Sequence, residues 1–167
     1  MDKNTLYELL TQSGIEYNIY DHEPLYTVED SKNLRGTITG AHSKNLFLRD
    51  QKKNFFLISL LEDTQIDLKK IVEPLNSKKL SFAQPNYLKD LMNIEPGSVS
   101  PFGLINDKDK KINFFLDQRF LNYDYVNFHP LTNTATVQLK PKILCDFISS
   151  KHKLVNMIDI TNYQKDL

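Results

Sequence analysis

The chain of 167 residues has one cysteine and no tryptophan. With Cys145 alone, no intrachain disulfide can form and no cysteine-based zinc site can be assembled. An excess of charge is missing too, since 21 Lys and Arg balance 21 Asp and Glu. Bulk electrostatics therefore cannot drive nucleic-acid binding, and any such contact needs a local basic patch. No apolar run approaches the ~20 residues that span a bilayer. No apolar segment follows the first charged residues, so a signal peptide is not expected. The four histidines include no i, i+4 pair, so neither a metal site nor a cofactor is expected. Repeats, low-complexity tracts and domain linkers are absent. The expectation is a soluble cytoplasmic protein in a reducing compartment. What is present is ordinary globular composition, 40% hydrophobic and 25% charged, in a length that suits one core.

Periodicity supplies the elements. Leu6, Leu9 and Leu10 have helical spacing and Gly14 stops them, which predicts a helix over 3–13. Tyr17 to Tyr20 reads as a short strand closed by Asp21-His22-Glu23-Pro24. Thr27 is placed to cap a helix through Leu34, ended by Gly36, with Glu29 and Asp30 in its first turn. Strands follow at 41–50 and 55–60. A helix over 68–74 is expected behind Asp67, then a short strand near 78–82 and a helix over 86–92. Glu95 to Leu104 holds two prolines and two glycines and is the strongest loop signal in the chain. Further strands are expected at 112–116, 134–139 and 154–158. A last helix opens with Pro141. Helices and strands mix without a βαβ rhythm. The prediction is an α+β single domain, a mixed, curved central β-sheet flanked by helices, over 1–160, with 161–167 as a C-terminal tail.

Candidate chemistry centres on Ala41 to Asp50. At period 2, Lys44, Leu46 and Leu48 share a face. An ammonium opening a row of leucines is costly unless it is paired or wet. It can snorkel to water at the strand end, form a structural ion pair, or line a pocket and meet a substrate. The Gly97–Gly103 loop can present backbone N–H groups to an anion or a polarised carbonyl, or be an ordinary surface loop. It lacks the Gly-Lys-Ser/Thr ending of a phosphate-binding P-loop. His129, held between Phe128 and Pro130, can donate, accept or transfer a proton, or be structural. His22 sits in a polar turn. Cys145 reads as a core residue, not a nucleophile.

In order along the chain, these pieces resemble one family. Asp21-His22-Glu23-Pro24, Thr27, the run Ser43-Lys44-Asn45-Leu46-Phe47-Leu48-Arg49-Asp50, the loop Gly97-Ser98-Val99-Ser100-Pro101-Phe102-Gly103, and Phe128-His129-Pro130 with Asn133 and Thr134 are similar to the YbaK/ProX family. These are editing domains related to the insertion domain of bacterial prolyl-tRNA synthetase. The nearest likeness is to free-standing ProX/PrdX-type deacylases that clear alanine from proline tRNA, and Phe-His-Pro separates it from the cysteine-clearing branch. The resemblance covers about residues 3–160.

The resemblance implies hydrolysis of the ester that joins a wrong amino acid to tRNA(Pro), with alanine the expected substrate. Cys-tRNA(Pro) hydrolysis and a non-catalytic tRNA- or synthetase-binding module are the alternatives. Partners so implied are the acceptor end of tRNA(Pro) and prolyl-tRNA synthetase. Lys44 matches the family's essential lysine, and Gly97 to Pro101 its backbone-donor loop. Asn45 and His129 match pocket positions, and His22 and Thr27 match family positions. On this reading Lys44, Gly97, Ser98 and His129 carry catalysis, and Asn45, His22, Thr27, Val99, Ser100, Pro101, Phe102 and Phe128 meet the substrate. An activated ester needs no covalent nucleophile; it needs a placed water and a stabilised oxyanion. Phe47, Phe102 and Phe128 are expected walls of a pocket that excludes proline by size. Arg35, Lys44, Lys52, Lys53 and the Lys108–Lys111 run are candidates to meet tRNA, or else form ordinary solvated faces. The scheme requires Lys44 and the Gly97–Pro101 amides to converge on one cavity.

Overall fold

The computed structural model describes residues 1–25, 28–35 and 37–166, with only the backbone of Val28, Ser31 and Arg35. The Thr27 cap, the Gly36 stop and the Arg35 side chain lie outside this description. The elements are α1 (Lys3–Gln12), β1 (Asn18–Asp21), α2 (Val28–Arg35), β2 (Ala41–Arg49), β3 (Phe55–Leu61), β4 (Ser81–Phe82), α3 (Pro85–Met92), β5 (Ile112–Asp117), β6 (Val126–Phe128), β7 (Ala135–Leu139), α4 (Pro141–Lys151) and β8 (Asn156–Ile158). Short 3₁₀ turns cover Pro101–Asn106 and Gln118–Asn122. Local chemistry explains several ends. The Asp2 carboxylate accepts from Thr5 N at 2.9 Å and starts α1. Asn93 ends α3 in the left-handed region, and Pro141 opens α4.

The strands form one mixed sheet in the order β1-β7-β6-β2-β3-β5-β8, with β4 also on β2. β2 is antiparallel to β3 and parallel to β6, and β3–β5 and β5–β8 are parallel. On its other edge β2 meets β6 only at Ala41 and His42, and β4 only at Leu48 and Arg49. Among the described residues, Ser43 to Phe47 therefore have no strand partner on that side. This notch lies between the end of β6 and β4.

Each face of the sheet covers its own core. Phe47, Phe55, Leu57, Phe102, Phe114, Phe128 and Phe147 share one cluster, beneath α1, α3 and α4. Leu48, Phe56, Ile58, Leu60, Ile66 and Ile71 form the second. Burying each such side chain contributes about 1.5–3 kcal/mol. Alternation along β2 sends Ser43, Asn45 and Phe47 to the first face and Lys44, Leu46 and Leu48 to the second.

Two expectations change. Residues 68–76 wind through successive turns instead of forming a helix. Pro74 is the cause: it has no N–H, and its ring collides with the carbonyl of the fourth residue before it. The expected tail is fastened to the body. Gln164 bridges to Ile66, Lys165 N–H donates to Gln65 O at 2.8 Å, and Lys70 pairs with Asp166 at 3.0 Å. Among the described residues, no helix is long and apolar enough to cross a membrane.

Candidate active site

The end of β6 and the start of β2 frame a hollow of about 70 Å³ lined by Leu25, Leu34, His42, Ser43, Glu62, Asn127, Phe128, His129 and Thr136. Water occupies about 30 Å³ in the liquid, so this space suits a small group. Two imidazoles stand together in this region, His22 and His129, with ring centroids 6.3 Å apart.

Their tautomers follow from their partners. His129 Nδ1 lies 3.0 Å from Ala135 O. A carbonyl only accepts, so Nδ1 carries the proton and Nε2 keeps its lone pair. Burial lowers the His129 pKa; the Ala135 bond opposes this and nearby His22 adds to it. The ring is therefore neutral at pH 7, with Nε2 an acceptor. His22 Nδ1–H donates to Glu23 O at 2.8 Å, so its Nε2 accepts from Thr136 Oγ1 at 3.0 Å. The backbone N–H of His22 also donates to Thr134 O at 2.9 Å. The DHEP turn is thus locked onto the start of β7.

A polar relay floors the hollow. Ser59 Oγ donates to Asn45 Oδ1, Asn45 Nδ2 donates to Ser43 Oγ at 3.3 Å, and Ser43 Oγ donates to Asn127 O at 2.8 Å. Asn127 Nδ2 donates to Thr39 O and Ala41 O at 2.9 and 3.1 Å. Asn45 thus reaches the hollow through Ser43.

The glycine-rich loop stands one residue away. Glu95-Pro96-Gly97-Ser98 is a turn closed by Ser98 N–H donating to Glu95 O at 3.1 Å, with Gly97 at φ 92°. Proline second and a positive-φ glycine third are the residues a type II turn demands. A Cβ on Gly97 would lie 3.9 Å from Asn133 Nδ2. That amide donates to Leu25 O at 2.9 Å, and Leu25 lines the hollow. Among the described residues, Asn133 Oδ1 and Ser100 Oγ are buried without a hydrogen-bond partner.

The structure does not bring all the expected residues together. His129 and Phe128 line the hollow, and His22 and Asn45 are one hydrogen bond from lining residues. Lys44 is elsewhere. Its Nζ donates to Thr64 O, and it lines a separate groove with Leu46, Ile66 and Phe82. Burial, and then Lys165, draw its pKa below the usual lysine value, against Asp63. The Gly97 loop packs Val99 and Phe102 into the first-face core. Val99 and Phe102 of the loop thus pack on the first face while the Lys44 side chain lies on the second, and among the described residues the Lys44 groove is lined by no residue of the loop. The amide of Ser98 is committed to its turn and is not a free oxyanion donor. Phe102 is fully buried, edge-on to Phe147 at 6.4 Å, and Phe47 stacks on Phe55, so neither walls the hollow. Pro101 is buried at the start of its 3₁₀ turn. Thr27 lies outside the described residues.

Polar residues that line the hollow without a role assigned from the sequence are His42, Ser43, Glu62, Asn127 and Thr136. Asn127, polar between Val126 and Phe128, becomes a signal only once that strand is seen to be buried. Cys145 is half-buried on α4, and burial pushes its thiol up to about 11, which leaves no thiolate for attack.

A family model described as the aminoacyl-tRNA editing domain matches residues 22–147. The prolyl-tRNA editing protein ProX of Acetoanaerobium sticklandii is 31% identical, over 95% of this chain and 97% of its own. The mouse prolyl-tRNA synthetase associated domain-containing protein 1 is 34% identical, covering 82% and 83%. A solved structure described as a candidate trans-editing enzyme for prolyl tRNA synthetase superposes with a TM-score of 0.74 at 19% identity, over 99% of this chain and 97% of that one. At that identity the likeness is one of fold.

Proposed function

Because the chain belongs to the aminoacyl-tRNA editing domain family, we propose that it is a free-standing deacylase that removes alanine from mischarged tRNA(Pro). The observation that carries this reading is the small hollow beside His129, whose Nε2 is an unprotonated acceptor. The α-ammonium of the aminoacyl ester donates to that nitrogen. The methyl group of alanine occupies the space against Phe128 and Leu25. The larger proline ring is excluded by volume, which is the logic of a second sieve. The protein works in the cytoplasm, over about residues 1–160, alongside prolyl-tRNA synthetase.

The reaction needs no protein nucleophile. Water adds to the ester carbonyl carbon, the tetrahedral oxyanion collapses, the ester C–O bond breaks, and the ribose oxygen takes a proton. Free alanine and uncharged tRNA leave. Amides of the Gly97–Ser100 segment other than that of Ser98 stabilise the oxyanion, steadied by Asn133. Ser43, Asn45 and Thr136 orient the ester and the water. Lys44 acts on the tRNA by charge, not as a base.

The test is incubation with Ala-, Cys-, Ser- and Pro-tRNA(Pro), with released amino acid measured over time. Release of alanine with proline retained is expected. Preferential release of cysteine would reassign the substrate, and no release from any of the four would leave a binding module.

A further inference from the structure

The groove that holds Lys44 has no role in the chemistry at His129, yet its composition is specific. It measures about 510 Å³ and is lined by Lys44, Lys69 and Lys165 around Phe82, with Leu46 at its floor. Phe82 is 62% exposed, the one phenylalanine among the exposed large apolar side chains of the described residues. Leaving such a ring in water forfeits its burial energy, so it is a candidate contact surface. The lining carboxylate, Asp67, accepts from Lys69 N at 2.8 Å within its own turn. Asp63 faces Lys44, and Asp166 pairs with Lys70. The lining itself remains net positive. Lys165 is held in place because its N–H donates to Gln65 O.

Position matters as much as composition. Ser43 lines the acyl hollow and Lys44 lines this groove, and they are consecutive in β2. The two hollows therefore meet along one strand, at the notch. Phe82, on β4, forms the far bank of that notch, while His129 follows β6 on the near bank.

We propose that this groove seats the single-stranded 3′ end of the tRNA, upstream of the aminoacylated nucleoside, with a base stacked on Phe82 and phosphates at Lys44, Lys69 and Lys165. Lysines interleaved with an exposed ring are what a single strand requires, because phosphates supply charge and every base has a π-face. The inference rests on the editing reading and adds where the nucleic acid lies.

Phe82→Ala, Phe82→Tyr and the double variant Lys69→Gln with Lys165→Gln are compared with the unaltered chain. Two substrates are used: full alanyl-tRNA(Pro), and alanyl-adenosine, which has no upstream nucleotides. For Phe82→Ala, kcat/KM on the full tRNA falls roughly five- to 150-fold, the range of one lost base stack. Hydrolysis of alanyl-adenosine stays within twofold, and Phe82→Tyr restores activity on the full tRNA. The lysine double variant flattens the salt dependence on the full tRNA by about 1.4 in log–log slope, at ~0.7 per phosphate.

Equal loss on both substrates, or no loss on either, overturns the proposal. Fluorescence anisotropy with a labelled single-stranded RNA ending in CCA separates the two readings if the unaltered chain hydrolyses neither substrate. Weaker binding by Phe82→Ala then sustains the groove while the editing reading falls, and equal binding removes both. A self-associated form lost in Phe82→Ala, with RNA affinity unchanged, would place a second copy on Phe82 and overturn the assignment.

Discussion

Replacing His129 by alanine tests the acyl site through a magnitude and a pH signature. In the folded chain the ring has one fixed tautomer, because Ala135 O, 3.0 Å from Nδ1, can only accept. Burial favours the neutral ring, and nearby His22 pulls in the same direction. Nε2 is then an acceptor for the substrate's ammonium. A hydrogen bond to a charged group contributes about 1.5–3 kcal/mol, so His129→Ala should lower kcat/KM for alanyl-tRNA(Pro) roughly ten- to 150-fold. The pH dependence has a definite sign. Protonation of Nε2 removes the acceptor and sets a cation against a cation. The rate of the unaltered enzyme should thus be level above the ordinary histidine pKa and fall only below it, because the His129 pKa is depressed. Single-turnover deacylation of labelled alanyl-tRNA(Pro) between pH 5 and 8 reads both effects. The reasoning is refuted if His129→Ala stays within threefold, or if its acid limb coincides with that of the unaltered enzyme.

Other consequences follow from particular groups. Asp107 and His152 form a pair at 2.8 Å with both side chains 1% exposed. Asp107 also accepts from Ile112 N and Lys111 N at 2.8 and 3.1 Å. Asp107→Ala should cost about 3–5 kcal/mol in urea unfolding. Burial pushes the Asp107 pKa up, but its hydrogen bonds, led by that of His152, outweigh this and bring it below the usual carboxylate value. The unfolded chain therefore protonates there first, and this stability, complete above about pH 4, should be lost as pH falls further. Gly97→Ala meets no close atom but must hold φ 92°, so it should cost about 1 kcal/mol. Gly40→Ala should cost more, since its Cβ would fall 2.6 Å from Tyr125 O. Cys145, with its thiol at about 11, should alkylate slowly at pH 8, and Cys145→Ser should leave deacylation unchanged.

Most of the sheet was legible because its strands carry strong local signals. The apolar run of β3 and the alternation of β7 marked themselves. The helix expected over 68–74 failed because its apolar spacing outweighed Pro74, whose missing N–H was visible in the sequence. In the site, His129 was legible because Phe128 and Pro130 fix its backbone. Ser43, Asn127 and Thr136 were harder to find, since single polar residues in buried strands announce their role only once neighbouring strands are assembled. Where Lys44 stands relative to the Gly97 loop was not legible, because it depends on how the strands are assembled. Lys44 and Asn45 are adjacent in a strand and point to opposite faces, so only one of them shares a face with any given neighbour. The Ser98 amide is used by the turn that Pro96 and Gly97 set.

The most direct measurement is the ¹⁵N shift of His129 Nε2 as a non-hydrolysable amide analogue of alanyl-adenosine is titrated in. The acyl site described here predicts a saturable shift of that nitrogen, with Ser43 and Thr136 amides moving alongside it. Shifts confined to residues of the Lys44 groove, with His129 unmoved, would contradict it.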